Sequence, residues 1–183
     1  LQSKSKKRTE KKQFVVEGSR ELRLAHLAHY TISTLFWCPD IFAKQDFASW
    51  IKTFNNHITV ISVSLAVYQK MVIRGSTEGI VGIVNQKSNS LKSWQPHNKN
   101  PLVIVLESIE KPGNLGAILR TADASGVDAV IITEEHTDIH HPNVIRSSVG
   151  GFFSATLFVC SNQEAKHFLK KNKINIYAAS LQK

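Results

Sequence analysis

Cysteine is scarce in this sequence, which has only Cys38 and Cys160 among its 183 residues. The two thiols are far apart along the chain and neither belongs to a CxxC pair, so the sequence offers neither a disulfide framework nor a thiolate metal site. Two unpaired cysteines are typical of a protein from a reducing compartment. We therefore expect two reduced thiols in or near the core, and no metal ion.

Long apolar runs are also missing. No stretch approaches the roughly 18 to 20 apolar residues that span a bilayer, and the first residues do not form the apolar core of a secretory signal. Neither the GxGxxG nor the GxxxxGK[ST] pattern occurs, which argues against the two corresponding nucleotide sites. These features predict a soluble, cytoplasmic protein without a membrane partner.

Acidic residues are outnumbered, because 14 Asp and Glu stand against 23 Lys and Arg and give a formal net charge of +9. Such an excess favours phosphate-rich partners, with nucleic acid first among them. Residues 1–12, LQSKSKKRTEKK, contribute Lys7, Arg8 and Lys12 as candidate phosphate contacts. This segment has too few apolar residues to bury a face, so it is either a solvated terminus or a phosphate-contacting arm.

What is present is an alternation of strand and helix signals, with 42% hydrophobic residues to build cores. The segments at 34–38, 58–64 and 79–86 are rich in β-branched and aromatic residues and predict strands. They indicate a small α/β domain over residues 1–91. The next residues, 92–100, are polar and lack periodicity, so we interpret them as a linker.

Residues 101–183 predict a second α/β domain. Its run LVIVLE, residues 102–107, is nearly continuous in apolar residues, as in a strand buried on both faces of a parallel sheet. The further predicted elements are strands at 128–133, 155–160 and 174–180 and an amphipathic helix at 162–172. Their order implies a parallel sheet with ligand-binding loops at the carboxyl ends of its strands.

The segment EKPGNLGAILRTADASG, residues 110–126, connects the first of these strands to a helix. Asn114 follows a Pro-Gly turn and stands where an N-cap belongs. Apolar residues then recur at helical spacing, and Arg120 lies outside them. Since helical side chains lean toward the N-terminus, we expect Arg120 to pass over Gly116 and hold a phosphate at the helix mouth. The alternative is a surface arginine beside a structural cap.

Other polar groups lie near predicted strand ends. Glu107 ends the first strand, where it either orients Arg120, contacts substrate or remains a solvated carboxylate. Ser147 stands among small residues, which indicates either a tight turn or a close approach of substrate. The run HTDIHHPN, residues 136–143, is rich in histidine but contains a proline, so we favour a loop that contacts RNA through partly charged histidines over a metal site.

Several segments resemble the SpoU/TrmH branch of the SPOUT RNA methyltransferases. The segment at 103–126 resembles the first motif of that family, and VIRSSVGGFFSATLFV, residues 144–159, resembles its Arg-x-Ser-x-Gly segment. The residues that match the first motif are Asn114, Gly116, Arg120, Thr121, Ala122 and Gly126. FVVEGSRELR and STEGIVGIV resemble the substrate-binding N-terminal domain of members that act on ribosomal RNA.

The resemblance implies an enzyme that transfers a methyl group from S-adenosylmethionine to a ribose 2′-hydroxyl, above all in ribosomal RNA, without a metal ion. It implies that Asn114 and Arg120 line the catalytic site. The expected substrate contacts are Glu107, Gly116, Arg146, Ser147, Lys7, Arg8 and Lys12, and the expected cofactor contacts are Ala179, Ser180 and Leu181.

Members of that family continue beyond the strand at 174–180 into a Gly-x-Glu and a Ser-Leu-Asn segment, which form a trefoil knot and most of the cofactor pocket. The resemblance therefore implies a SPOUT α/β domain truncated before the knot, without cofactor binding or methyl transfer by itself, and a homodimer for the full-length protein. The competing hypothesis is a SPOUT-like protein that binds RNA without catalysis. A third is a nucleotide-binding α/β protein that uses the same turn.

Overall fold

A computed structural model of the chain describes residues 1–54, 57–73 and 78–179, which contain two β-sheets. The first sheet has four strands. Its strands are β1 (Gln13–Glu17), β2 (Ile32–Trp37), β3 (Thr59–Ser62) and β4 (Ile80–Asn85), in the order β1-β4-β2-β3. β4 runs antiparallel to both of its neighbours, and β2 is parallel to β3. The strands predicted at 34–38, 58–64 and 79–86 are thus confirmed.

Helices of the same part of the chain pack around this sheet. They are α1 (Ser5–Lys11), α2 (Ser19–Leu27), α3 (Lys44–Ile51) and α4 (Leu65–Met71). Leu22 of α2 is fully buried and lies over Gly82 of β4, where a Cβ would overlap the Leu22 side chain. A glycine in the middle of a strand therefore allows α2 to approach the sheet closely.

The second sheet is parallel, with β6 (Ala129–Thr133) between β5 (Val103–Glu107) and β7 (Leu157–Cys160) among the described residues. All five residues of β6 are buried, as expected for an apolar strand with a neighbour on each side. The helices of this part are α5 (Pro112–Ala124), α6 (Pro142–Ser147), α7 (Gly151–Ser154) and α8 (Asn162–Lys171). α8 begins in a capping box formed by Ser161 and Glu164.

Two predictions for this sheet are wrong. β5 is not buried on both faces, because none of its five residues is buried and Val105 is 41% exposed, and it lies at the edge of the described sheet. Residues 174–179 form no strand, because no ladder hydrogen bonds hold them beside β5 in the described structure. Ile176 and Tyr177 are consequently 58% and 90% exposed. Residue 180, the last of the predicted strand, lies outside the described residues.

A continuous apolar core joins the two sheets. Phe14 of β1 packs edge-on against Phe152 of α7, with ring centroids 5.9 Å apart, and Tyr30 packs against Phe153 at 5.6 Å. The two predicted domains therefore meet over a buried apolar face. Their boundaries at residues 91 and 101 stay a prediction.

The predicted linker at 92–100 is also partly docked. A single 3₁₀ turn, Leu91–Ser93, precedes Trp94, whose ring lies 5.1 Å from Phe158 and 5.3 Å from Phe168. The aromatic contact fixes the start of this stretch to β7 and α8. Within the described ranges, no helix has the length and apolar content that crossing a bilayer needs.

Candidate functional site

The helix that carries the predicted site begins earlier than its sequence suggests. α5 starts at Pro112, and Lys111 occupies the N-cap with φ −95° and ψ 119°. The proline ring fixes φ near the helical value and lacks the N–H that the first turn leaves unpaired, so it is suited to the first helical position. The prediction that Asn114 is the N-cap is wrong, and its exposed side chain lies in the first turn instead.

Arg120 lies on the exposed side of α5. The opposite side is buried, with Leu115 and Leu119 at 0% and Ala122 at 1% exposure, which confirms the predicted apolar stripe. Arg120 makes no hydrogen bond or ion pair with any of the residues that the structure describes. Its guanidinium is therefore not held in a structural ion pair, and it is available to an anion.

Gly116 does not provide the open path that we predicted for Arg120. A Cβ at this position would overlap the Oγ of Ser147 and would lie 2.6 Å from the Val144 carbonyl oxygen. Gly116 is buried because α6 packs directly on the backbone of α5 there. Both its expected contact with substrate and its role as a gap beneath the arginine are wrong, and the residue serves helix packing instead.

A second glycine brings α7 against the same helix. A Cβ on Gly151 would lie 2.9 Å from the Leu119 carbonyl oxygen and 3.0 Å from the Cα of Arg120. Helices α6 and α7 thus pack closely against α5, at Gly116 and Gly151. As a consequence, the turn between α6 and α7 lies beside Arg120.

Ser147 and Arg146 lie next to each other at this turn, but their side chains differ in how accessible they are to a substrate. The hydroxyl of Ser147 donates to the Asn143 carbonyl oxygen at 2.6 Å and covers Gly116, in agreement with the tight-turn alternative, and its contact with substrate stays a prediction. The neighbouring Ser148 is buried and donates to the Ile145 carbonyl oxygen at 2.7 Å. Arg146 is exposed, as a substrate contact requires.

Glu107 lies at the carboxyl end of β5 and is exposed. Its Oε1 accepts a hydrogen bond from the Asn162 side chain at 2.6 Å, so it contacts the start of α8 rather than Arg120 in the described structure. Thr133 ends the neighbouring strand β6 and was missed by sequence reasoning. Its hydroxyl is fully buried without a hydrogen-bond partner among the described residues, and a buried orphan hydroxyl at a strand end has no signal in the sequence.

The residues predicted to bind the cofactor lie at or beyond the last described position. Ala179 is exposed, and Ser180 and Leu181 fall outside the described residues. Within the described part, the cleft nearest this end lies between residues 99–105 and 169–177 and measures about 510 Å³. Its polar side chains are Lys99, Asn100, Asn172, Lys173, Asn175 and Tyr177. Of the three expected cofactor contacts, Ala179 alone lies within the described residues.

The basic segment at residues 1–12 is neither frayed nor wholly solvated. It forms α1, and Arg8 is 2% exposed. The Arg8 Nε donates to the Asp138 carboxylate at 2.7 Å, and its Nη1 donates to the Leu1 and Gln2 carbonyl oxygens at 2.6 and 3.0 Å. The prediction that Arg8 binds phosphate is wrong, because its charge is already paired inside the protein.

Lys7 and Lys12 are exposed on the same segment. They remain accessible to phosphate, and Lys12 ends α1 in the left-handed conformation with φ 50°. These two residues keep the role predicted for them as candidate RNA contacts.

The acid that holds Arg8 belongs to the histidine-rich loop. Burial acts to raise the pKa of Asp138, but hydrogen bonds from Arg8, the His140 N–H and Ser5 outweigh it and hold that pKa below its usual value. Burial lowers the pKa of His140 to about 4, so this imidazole is neutral near pH 7. It packs against Phe14 at 4.9 Å, which makes the predicted RNA contact through a charged histidine wrong at this position. The described residues hold no cluster of three metal-ligating side chains.

Comparison with known protein families identifies the two parts of the chain separately. The SpoU rRNA Methylase family matches residues 101–183, which include α5, α6 and α7, and the MRM3-like substrate binding domain matches residues 1–82. Residues 101–183 belong to the SpoU rRNA methylase family, as the resemblance of the sequence predicts. The α/β class with a parallel sheet is that of solved SpoU methyltransferases, so the fold-class prediction is confirmed.

Individual SpoU relatives align along most of the chain. It is 30% identical over 159 residues to the mitochondrial rRNA methyltransferase 3 of Xenopus tropicalis, covering 82% of this chain and 36% of that protein. It is 26% identical over 151 residues to the 23S rRNA (uridine(2479)-2′-O)-methyltransferase of Streptomyces viridochromogenes, covering 81% of this chain and 51% of that protein.

A solved structure shows the same arrangement. The AdoMet-bound rRNA methyltransferase of Sinorhizobium meliloti superposes with a TM-score of 0.79 at 25% identity, covering 92% of this chain and 62% of that one. The chain thus spans about half or less of the length of the curated relatives described above, and less than two thirds of this solved one.

Proposed function

We propose that the protein to which this chain belongs transfers a methyl group from S-adenosylmethionine to a ribose 2′-hydroxyl in ribosomal RNA. The observation that carries the proposal is Arg120, which is exposed and unpaired within the described structure and lies beside the α6–α7 turn. It occupies the arginine position of the motif on the part of the chain that matches the SpoU family. The S. viridochromogenes protein is named as a 23S rRNA 2′-O-methyltransferase, and the S. meliloti structure as an rRNA methyltransferase with bound AdoMet.

S-Adenosylmethionine, when bound, supplies an electrophilic methyl group on a positively charged sulfur. The chain's own task is to place the ribose so that its 2′-oxygen points at that methyl group and can release its proton. Arg120 is suited to gripping a phosphate next to that ribose, because its planar fork binds two oxygens at once. The amide of Asn114, exposed in the first turn of the same helix, can orient a hydroxyl by accepting or donating a hydrogen bond.

Arg120 is poorly suited to accepting the proton. Guanidinium groups stay protonated in proteins, so they are weak general bases. We therefore assign Arg120 to phosphate binding and leave proton removal to another acceptor. Lys7, Lys12 and Arg146 are exposed cations that would add affinity for the RNA backbone.

Replacement of Arg120 tests this function. In the full-length protein, Arg120→Ala should lower kcat/KM for methylation of ribosomal RNA by about 100-fold or more, the usual cost of losing one positioning group in an active site. Arg120→Lys keeps the positive charge but loses the planar fork, so its kcat/KM should lie between those of the wild type and Arg120→Ala. Methyl transfer is measured with labelled S-adenosylmethionine, and thermal unfolding should change little because the side chain is exposed.

The control is Lys70→Ala, which removes the same charge from an exposed position on α4. It should leave kcat/KM within about twofold of the wild-type value, as expected for a surface charge away from the site. Wild-type turnover by Arg120→Ala would overturn the assigned role. RNA binding by the wild-type protein without any methyl transfer would instead support the non-catalytic RNA-binding alternative.

Two further properties are part of the proposal. Homodimer formation is supported by the family resemblance, and light scattering of the full-length protein measures it. A cytoplasmic location is supported by the two cysteines, Cys38 and Cys160, which are unpaired.

A further inference from the structure

The turn between α6 and α7 has an unfavourable backbone conformation. Val149 has φ 51° and the following Gly150 has φ 97°. A left-handed conformation is an outlier for a β-branched residue, and such conformations persist where the surrounding structure fixes them, often at functional sites. The turn also leaves Val149 41% exposed, so the strain does not serve burial of this side chain.

Helix α2 reaches this turn from the first sheet. Leu24 of α2 lies against Gly150, where a Cβ would be 2.6 Å from Leu24 Cδ1. One helical turn earlier, Arg20 Nη2 donates a hydrogen bond of 3.4 Å to the Val149 carbonyl oxygen. The part of the chain that matches the substrate-binding domain therefore touches the turn that borders Arg120.

The hydrogen bond itself contributes little to stability. It is long, exposed and made to a neutral acceptor, and such bonds are weak. It uses one of the five N–H groups of Arg20, and no other hydrogen bond or ion pair of this side chain occurs in the described ranges. The contact thus orients an exposed guanidinium and leaves most of its donors unused.

Three exposed arginines from three helices meet around the same turn. Arg20 contacts it through the Val149 carbonyl, the Arg146 carbonyl oxygen accepts the Val149 N–H at 3.3 Å, and the Cα of Arg120 lies against Gly151. Within the described structure none of the three guanidinium groups is paired with a carboxylate. Several exposed cations around one turn without a protein counter-ion favour a polyanion such as a phosphodiester chain.

We propose that Arg20 is a substrate-positioning residue, which holds an RNA phosphate adjacent to the one bound by Arg120. In this arrangement one RNA strand crosses the α6–α7 turn and contacts α2 and α5 together, so the first part of the chain sets where the target ribose lies. The inference rests on the proposed function, since it extends the RNA site of that enzyme.

The test compares two arginines of α2 in the full-length protein. Arg23 is exposed one helical turn from Arg20 and makes no hydrogen bond or ion pair among the described residues, so Arg23→Ala removes the same charge from the same helix. RNA affinity is measured by fluorescence anisotropy on a ribosomal RNA fragment over a series of salt concentrations. Methylation kinetics are measured on the same fragment.

Arg20→Ala should raise the Kd and the KM for RNA by roughly fivefold at 0.1 M salt and reduce the slope of log K against log salt by about 0.7 to 0.9, the contribution of one phosphate. Arg20→Lys should recover the slope, which a purely structural role of the hydrogen bond to Val149 would not predict. Arg23→Ala should change neither quantity.

Equal losses in Arg20→Ala and Arg23→Ala would overturn the assignment, because they would reflect the net charge of α2 alone. An unchanged salt slope in Arg20→Ala would overturn it as well. Failure of the proposed function gives a different result, in which the wild-type protein transfers no methyl group whatever the two variants do to RNA binding.

Discussion

Two glycines in the first turns of α5 have opposite surroundings. Gly116 is covered by α6, whereas a Cβ on Gly113 would meet nothing within 4 Å. Gly116→Ala places a methyl group where Ser147 and the α6 backbone lie, so α6 must move away from α5. The free energy of unfolding should fall by about 1 to 3 kcal/mol, as in other overpacked cores. Gly113→Ala should be neutral or stabilising by about 0.5 to 1 kcal/mol, because alanine favours the helix.

Urea denaturation followed by circular dichroism measures both glycine variants. The pair is matched in chemistry and in helix, and only the neighbouring atoms differ. If Gly116→Ala were as stable as Gly113→Ala, α6 would not pack on α5 as described.

Single residues show where sequence reasoning reached its limit. The sequence reveals that Gly116 lacks a side chain but not which atoms fill the space, because Ser147 is brought there by tertiary packing. Arg8 is one of six basic residues in twelve and carries no mark that distinguishes it from Lys7. Its burial follows from Asp138, which is 130 residues away along the chain. The exposed position of Arg120 was predictable, since helical periodicity alone sets it off the apolar stripe.

Among the elements, those with a strong periodic pattern were predicted and those that depend on a neighbour were not. β6 has four consecutive apolar residues followed by a threonine, and α8 has both an amphipathic pattern and a capping box. The start of α5 was placed three residues late, because Pro112 was interpreted as a turn residue when it is equally suited to the first helical position. Residues 102–107 and 174–180 are apolar, but their pairing depends on strands beside them rather than on composition.

Helix α1 is attached to the protein by a buried ion pair, so its stability depends on Arg8. Removing one partner of such a pair leaves the other charge buried and unpaired. Arg8→Met should therefore lower the free energy of unfolding by about 3 kcal/mol near pH 7. Lys7→Met, which removes an exposed charge from the same helix, should change it by less than about 0.5 kcal/mol.

The loss in Arg8→Met should also depend on pH. Hydrogen bonds hold the folded-state pKa of Asp138 below its usual value of 3.8, so its contribution is fully present above that value and is lost as the pH falls through the lower one. The difference between wild type and Arg8→Met should thus shrink below about pH 3.8. His140 acts in the same sense at higher pH, because its folded pKa of about 4 lies below 6.5 and its contribution is lost as the pH falls between these values, but it is present in both proteins. A difference that stays constant down to pH 3 would contradict the ion-pair interpretation.

Across the entire chain, the shared core predicts that the two sheets unfold together. Phe152 of α7 contacts Phe14 and Tyr30, so the first sheet cannot unfold without exposing apolar surface of the second part. A domain that loses its buried face loses much of its stability, which makes separate unfolding unfavourable. We expect one transition in urea for the chain, even though two family matches divide it.

Two probes test this cooperativity. In Trp94→Phe the remaining tryptophans, Trp37 and Trp50, report on the part of the chain that forms the first sheet, while hydrogen exchange of β6 amides reports on the second. The two midpoints should coincide in that variant.

Phe152→Ala opens a cavity between the sheets, so it should lower the free energy of unfolding by about 3 to 5 kcal/mol and separate the two midpoints. Phe158→Ala truncates a phenylalanine of a separate apolar cluster, which does not include Phe14 or Phe152, so it should lower stability while the midpoints stay together. Separate midpoints in the Trp94→Phe protein would mean that the two parts unfold independently. The contact between α2 and the α6–α7 turn would then be lost as soon as either part unfolds.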